Sequence, residues 1–162
     1  MRAFLLALIV PLASCDALSG LPRDPDGAIE RIRSTHVLRA GISHNPPWTR
    51  TEGGEPNGVE ADLVFGFAQS LGARVEWTDN GEQPLLEALG RQQLDLVAAG
   101  GTTKSPWKKT VGVSQSYATS PTGEKQVVFA AAGENGLLLA LDRFIHAHKG
   151  AYSARAAEEA RR

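Results

Sequence analysis

Few residues in this chain have the types and spacing that chemistry needs. Glu60 and Asp62 are a close pair of carboxylates, and paired carboxylates are what general acid–base work uses. Two apart on a helix they point to different faces, and both fall in its first turn, where acids complement the helix dipole. Helix-start chemistry therefore accounts for them. His146 and His148 are also two apart on a helix and cannot share a metal ion, and His44 lies far away in sequence, so no metal is expected. No stretch has the pattern of a phosphate-binding loop or a nucleophile elbow. No catalytic residue and no cofactor is assigned, and the expectation is a protein that is not an enzyme.

Cys15 is the single cysteine of the 162 residues, so it cannot close an intramolecular disulfide. It follows one charge, Arg2, the apolar run Ala3 to Val10 and then small residues, the layout of a secretory signal. The run is too short to span a bilayer, which takes roughly 20 apolar residues. Leu12-Ala13-Ser14-Cys15 resembles the bacterial lipobox, which implies cleavage before Cys15 and a diacylglycerol on its thiol. The alternative is an ordinary signal peptide that happens to contain a cysteine. Against it, a free thiol in an oxidising compartment is a liability that lipid removes. At about 0.8 kcal/mol per buried methylene, several acyl chains make release negligible. Asp16, directly after the cysteine, resembles the signal for retention in the inner membrane. The expectation is a domain held by lipid on Cys15 at the periplasmic face of that membrane.

The elements behind these residues are legible from periodicity. Residues 1–14 read as the signal and 15–25, with two prolines and a glycine, as a lipidated tether. The domain is expected over 26–150. Asp26 is placed to cap a short helix, Gly27 to Ser34, followed by a strand, His36 to Ile42, that the pair Pro46-Pro47 halts soon after. Leu63, Val64, Phe67, Ala68 and Leu71 repeat at helical spacing over Glu60 to Leu71, with Gly72 as the stop. Asn57-Gly58 reads as the tip of a hairpin-like loop before that helix. A strand over Arg74 to Thr78, a helix after Pro84 and a strand over Leu94 to Ala99 complete a strand-helix alternation. Such alternation implies a mainly parallel sheet with helices on both faces, whose ligands bind beyond the strands' carboxyl ends. Those ends are the loops at Ser43 to Trp48 and at Gly100 to Trp107. Two more strands, Val111 to Ala118 and Lys125 to Ala131, precede a helix from Asn135 to Lys149. Residues 151–162, alanine-rich and charged, read as a frayed helical tail. The formal charge is −1, from 17 Lys and Arg against 18 Asp and Glu. With no basic cluster in the domain, nucleic acid is excluded as a partner.

Taken together, Val37 to Trp48, Asn57 to Leu63, Leu94 to Gly100 and Val111 to Tyr117 resemble family 3 of the bacterial extracellular solute-binding proteins, the periplasmic receptors of amino-acid ABC importers. The resemblance implies a two-lobed clamshell, yet between Tyr117 to Ser120 and the returning Lys125 to Phe129 lie only Pro121-Thr122-Gly123 and their neighbours. Turn residues can close that crossing locally, so a single lobe is expected, with the second lobe absent and one returning C-terminal strand. In the family a Thr-rich turn and an arginine receive the ligand's carboxylate. Here Gly101 and Thr102 fall on the turn and Trp107 where the arginine is expected. Lys104, Lys108 or Lys109 is the alternative point charge for that arginine, but the expectation is a solvated loop. Trp48 matches the family's ligand-stacking aromatic, or else is a partly buried rim residue. The expected ligand-binding set is thus Trp48, Gly101, Thr102 and Trp107. The expected function is weak binding of a small amino-acid-like solute as an accessory of a transport system, with a permease or other envelope protein as the expected partner. The alternative is an envelope protein-interaction module that has lost its ligand.

Overall fold

The computed structural model describes residues 27–51 and 54–161. The signal segment, Cys15, Asp16, the tether and Asp26 lie outside the described residues. The elements run α1 (Ala28–Thr35), β1 (Val37–Ile42), α2 (Val59–Ser70), β2 (Arg74–Asp79), α3 (Glu82–Gly90), β3 (Leu96–Thr102), β4 (Gly112–Val113), β5 (Ala118–Thr119), β6 (Lys125–Ala130) and α4 (Asn135–Glu159), with a 3-10 turn over Pro106–Lys109. They build one sheet in the order β2-β1-β3-β6-β4, with β5 also paired to β6. β1 pairs in parallel with β2 and β3, and β6 is antiparallel to β3, β4 and β5. Five strands therefore share one direction and only the returning β6 opposes it.

Alternation along the strands divides the core between the two sheet faces. Leu38, Ala40, Ile42, Leu96, Ala98, Val128 and Ala130 join α1, α2 and α4 in one cluster. Val97, Ala99, Val127 and Phe129 join α3 in the other. Helices thus cover both faces, three on one and α3 on the second. At the amino end of β3 the buried carboxylate of Asp95 accepts from the Arg39 backbone N–H (2.8 Å) and from the guanidinium groups of Arg39 (2.6 Å) and Arg31 (2.5 Å). One acid so fixes α1 and β1 against β3. Breaking it would leave a buried charge unpaired, which is costly.

Four local expectations are corrected. His36 does not open β1 but caps α1 in a left-handed conformation, φ 57°. Asn57 is not at a loop tip: it closes the loop's base, exchanging backbone hydrogen bonds with Arg50 at 2.8 and 2.9 Å. The strand expected over Val111 to Ala118 is two short strands, β4 and β5. Between them side chains replace ladder partners, Ser114 Oγ accepting from Val128 N and Asp142 Oδ1 from Gln115 N. Finally, residues 151–159 are not a frayed tail but the last turns of α4. Alanine propensity favours helix there, and tertiary contacts hold it. Ala156 is buried, Ser153 Oγ donates to Tyr117 O at 2.8 Å, Arg155 pairs with Asp62 at 2.5 Å and Glu159 with Arg50 at 2.8 Å. No helix among the described residues is long and apolar enough to cross a membrane.

A chain ending at Gly150 tests the role of these turns. The ion pairs are partly exposed and worth little each, but loss of the Ala156 contact and the Ser153 bond should lower stability by roughly 2 kcal/mol. Urea unfolding of the two forms measures it, and unchanged midpoints would restore the frayed-tail picture.

Candidate functional site

The loops after β1 and β3 leave the sheet side by side and then diverge. The chain after β1 passes to α2 on one face, whereas Trp107, after β3, packs on the face that α3 covers. This is a topological switch point, where open α/β sheets receive ligands.

The β1 loop is tied down by its own backbone. Ser43 N donates to Ala98 O (3.0 Å), Asn45 and Thr49 exchange two bonds (3.1 Å each), and Thr49 Oγ1 donates to Ser43 O (2.5 Å). The peptide between Pro46 and Pro47 is cis. From the loop Asn45 Nδ2 donates to Ala99 O at 2.8 Å. Gly100 sits at φ 66°, and a Cβ there would strike the Asn45 amide and the Trp48 indole. Glycine is required at that position for both reasons.

Beneath this junction lies Glu60, wholly buried. Its Oε2 accepts from Gly100 N at 2.9 Å and its Oε1 from Tyr117 Oη at 2.8 Å, while Glu60 N donates to Trp48 O at 3.2 Å. One residue at the start of α2 thus joins both site loops to the segment leading into β5. Burial pushes its pKa up to about 7, against the opposing pull of the Gly100 and Tyr117 hydrogen bonds. Burial, and then the neighbouring Glu60, raise the Tyr117 phenol well above its ordinary value, so it stays a donor. Glu60, expected only at a helix start, is instead the buried centre of the site's support.

The sequence-derived site residues are placed as follows. Trp48 is 8% exposed and packs in the α1/α2/α4 cluster, against Gly100. Gly101 is buried, and a Cβ there would strike the Phe129 ring. Thr102 is half-buried, its Oγ1 accepting from Lys104 N at 3.3 Å. Trp107 is half-buried on the 3-10 turn, which Ser105 caps by accepting from its N–H at 3.3 Å. The fold therefore joins Trp48 with Gly100, and sends Trp107 to the opposite face. Lys104 is exposed and 3.5 Å from Glu124, and Lys108 and Lys109 are exposed, so these three cations all lie in water. Among the described residues no group of three or more His, Cys, Asp and Glu is placed to hold a metal. Residue-type reasoning missed Asn45 and the Glu60–Tyr117 pair. The signal for Glu60 was present: it shares the apolar stripe of Leu63, Val64 and Phe67.

The raised pKa makes stability pH-dependent. The native state holds the Glu60 proton up to about pH 7, the unfolded chain only to about 4.5. Stability contributed by the neutral acid is full below pH 4.5 and declines as pH rises to 7, by roughly 3 kcal/mol in all. In Glu60→Gln, which mimics the protonated acid, that decline should disappear. Denaturant melts of both proteins between pH 5 and 8 decide it, and parallel profiles would sink the assignment.

Comparison with known proteins agrees with the geometry. The family described as bacterial extracellular solute-binding proteins, family 3, matches residues 38–152. Membrane-bound lytic murein transglycosylase F of Vibrio cholerae is 31% identical over 101 residues, 61% of this chain and 18% of that protein. The Pseudomonas putida protein of the same name is 35% identical over 97 residues, 57% of this chain and 19% of its own. The chain thus spans less than a fifth of these relatives' length, and what it matches is their solute-binding-like part. Among solved structures, a point variant of the arginine-bound form of domain 1 from TmArgBP superposes with TM-score 0.70 at 26% identity, covering 76% of this chain and 99% of that one. The chain belongs to the bacterial extracellular solute-binding proteins, family 3, as a single lobe of that fold.

Proposed function

We propose that this protein is an envelope solute-binding module, anchored through lipid on Cys15 at the periplasmic face of the inner membrane, whose half-site takes a small amino-acid-like solute weakly as an accessory of a transport system. The carrying observation is the switch point itself. Two polar loops emerge from adjacent parallel strands, held by Asn45, Gly100 and buried Glu60, on one lobe with no second lobe among the described residues to cover them. The arginine-bound form of TmArgBP domain 1 is a precedent that supports a ligand on one lobe here. The family's description and the membrane-bound relatives' name support a location in the cell envelope.

Weak binding follows from the chemistry present. A single lobe cannot bury most of a ligand's surface, as a closed pocket does. Trp107 stands where the family's carboxylate-binding arginine is expected, and an indole offers one N–H donor against the guanidinium's charged fork. The nearby lysines are solvated and pay to be ordered. Cleavage of murein is not part of the proposal, because the match to the transglycosylases is confined to their solute-binding-like part.

The test is a thermal-shift titration of the chain without residues 1–14, as Cys15→Ser, against an amino-acid panel. A ligand with Kd of about 1 mM, present at about 10 mM, stabilises by about 1.4 kcal/mol, a rise of a few degrees. No shift with any amino acid would refute the receptor reading. Trp107→Arg should tighten binding of α-carboxylate ligands about tenfold, by supplying a charge-assisted bidentate bond, as calorimetry would show.

A further inference from the structure

We infer that Gln126 is the acceptor for a proton carried by Glu60, and that Glu60, Tyr117 and Gln126 together form a proton-operated junction beneath the half-site turn.

Two observations meet here, and the first is topological. β6 lies between β3 and β5, with Gln126 directly opposite Thr102 on one side and Ala118 on the other. The bonds of Glu60 run from Gly100 N, on β3, to the hydroxyl of Tyr117, the residue before β5. They therefore cross β6, over two strand spacings or about 10 Å. Val128 and Ala130 of β6 face the α1/α2/α4 cluster. Alternation puts Gln126 on that same face, the one from which α2 presents Glu60. The second observation is an unmet bond. Gln126 is 2% exposed, and its backbone oxygen accepts from Tyr117 N at 3.1 Å. Its side-chain Oε1 is buried with no hydrogen-bond partner among the described residues, and a buried acceptor without a donor is costly.

A count of hydrogens joins the two. With Glu60 ionised, Gly100 N–H and Tyr117 O–H meet its two oxygens, and Gln126 Oε1 is left over. No cation bonds to that carboxylate among the described residues, so its charge is buried without compensation. One proton removes both faults. The Gly100 N–H is fixed in the backbone and keeps Oε2, so the proton settles on Oε1, facing a hydroxyl that can rotate. Glu60 then donates to Tyr117 Oη, and Tyr117 donates onward to Gln126 Oε1. Gln126 is thus a positioning residue: it meets the proton, not the ligand.

Other titratable groups on the surrounding elements answer one another or lie in water. Asp62 of α2 pairs with Arg155 of α4, and Arg50 of the β1 loop with Glu159 of α4. His44, Lys104, Lys125 and Glu158 are exposed, and burial raises the Tyr152 phenol of α4, which stays neutral. One consequence rests on the half-site reading proposed above. A ligand carboxylate received at Gly101 and Thr102 would sit beside the Glu60 charge, so ligand and proton favour each other. The hold on anionic solutes then weakens as pH rises through the titration of the junction.

Nuclear magnetic resonance of the isotope-labelled full chain in detergent micelles, without ligand, tests the junction separately from solute binding. The Glu60 carboxyl carbon, identified by its loss in Glu60→Gln, should titrate at about pH 7. The Gln126 side-chain amide should shift with the same midpoint. Gln126→Met, similar in length but without the acceptor oxygen, should hold the proton about tenfold more weakly, its midpoint lower by about one pH unit. A midpoint unchanged or raised in Gln126→Met would overturn the assignment. So would a wild-type Gln126 amide that does not follow Glu60, a measurement that needs no variant to fold, or a Glu60 carboxyl that stays ionised from about pH 5 upward.

Discussion

The structure depends most on one buried carboxylate. Glu60 receives the Gly100 backbone N–H and the Tyr117 hydroxyl, groups 40 and 57 residues further along the chain. Through its own N–H it also holds the carbonyl of Trp48. The start of α2, the end of β3, the β1 loop and the approach to β5 all meet at this residue. A carboxyl buried so completely is stable only with its hydrogen-bond partners in place. The site loops are therefore positioned by a polar junction under them, and the protonation of that junction near neutrality follows from the same burial.

A second device is the length of α4. A lobe whose neighbouring lobe is missing must itself cover the segment where the chain would cross over. The last turns of α4 do this, with Ser153 bonded to Tyr117 O, Arg155 to Asp62 and Glu159 to Arg50. Phe144, His148 and Tyr152 stack along the same helix, and Phe144 meets Phe67 of α2 with ring centroids 5.7 Å apart. The closely approaching helices leave no room beside Gly66, where a Cβ would meet the Tyr152 hydroxyl.

Much of this was legible in the sequence because the fold is written in local periodicity. The alternation in Val37 to Ile42 and in Leu94 to Ala99, and the helical repeat through Leu63, Val64 and Phe67, mark elements whose burial pattern is set by backbone geometry. The short Pro121-Thr122-Gly123 connection marked the single lobe, since turn residues leave no room for a second lobe at that crossing. The Gly100 turn was also visible as sequence, though not the reason for it, which is the crowding by Asn45 and Trp48.

Other features belonged to tertiary structure alone. Residues 151–159 favour helix by their alanines but have no apolar stripe strong enough to predict packing, and the contacts with Tyr117, Asp62 and Arg50 decide that they dock instead of fraying. The break between β4 and β5 depends on side chains of Ser114 and Asp142 reaching distant backbone. Trp48 and Trp107 read alike in sequence, as aromatics in site loops, yet the sheet assigns them to different faces. Glu60 is the sharpest case: its place on the apolar stripe is a property of the sequence. Whether a carboxylate there faces water or a buried donor pair depends on what Gly100 and Tyr117 bring to it, because the cost of burying charge is set by partners that no local pattern encodes.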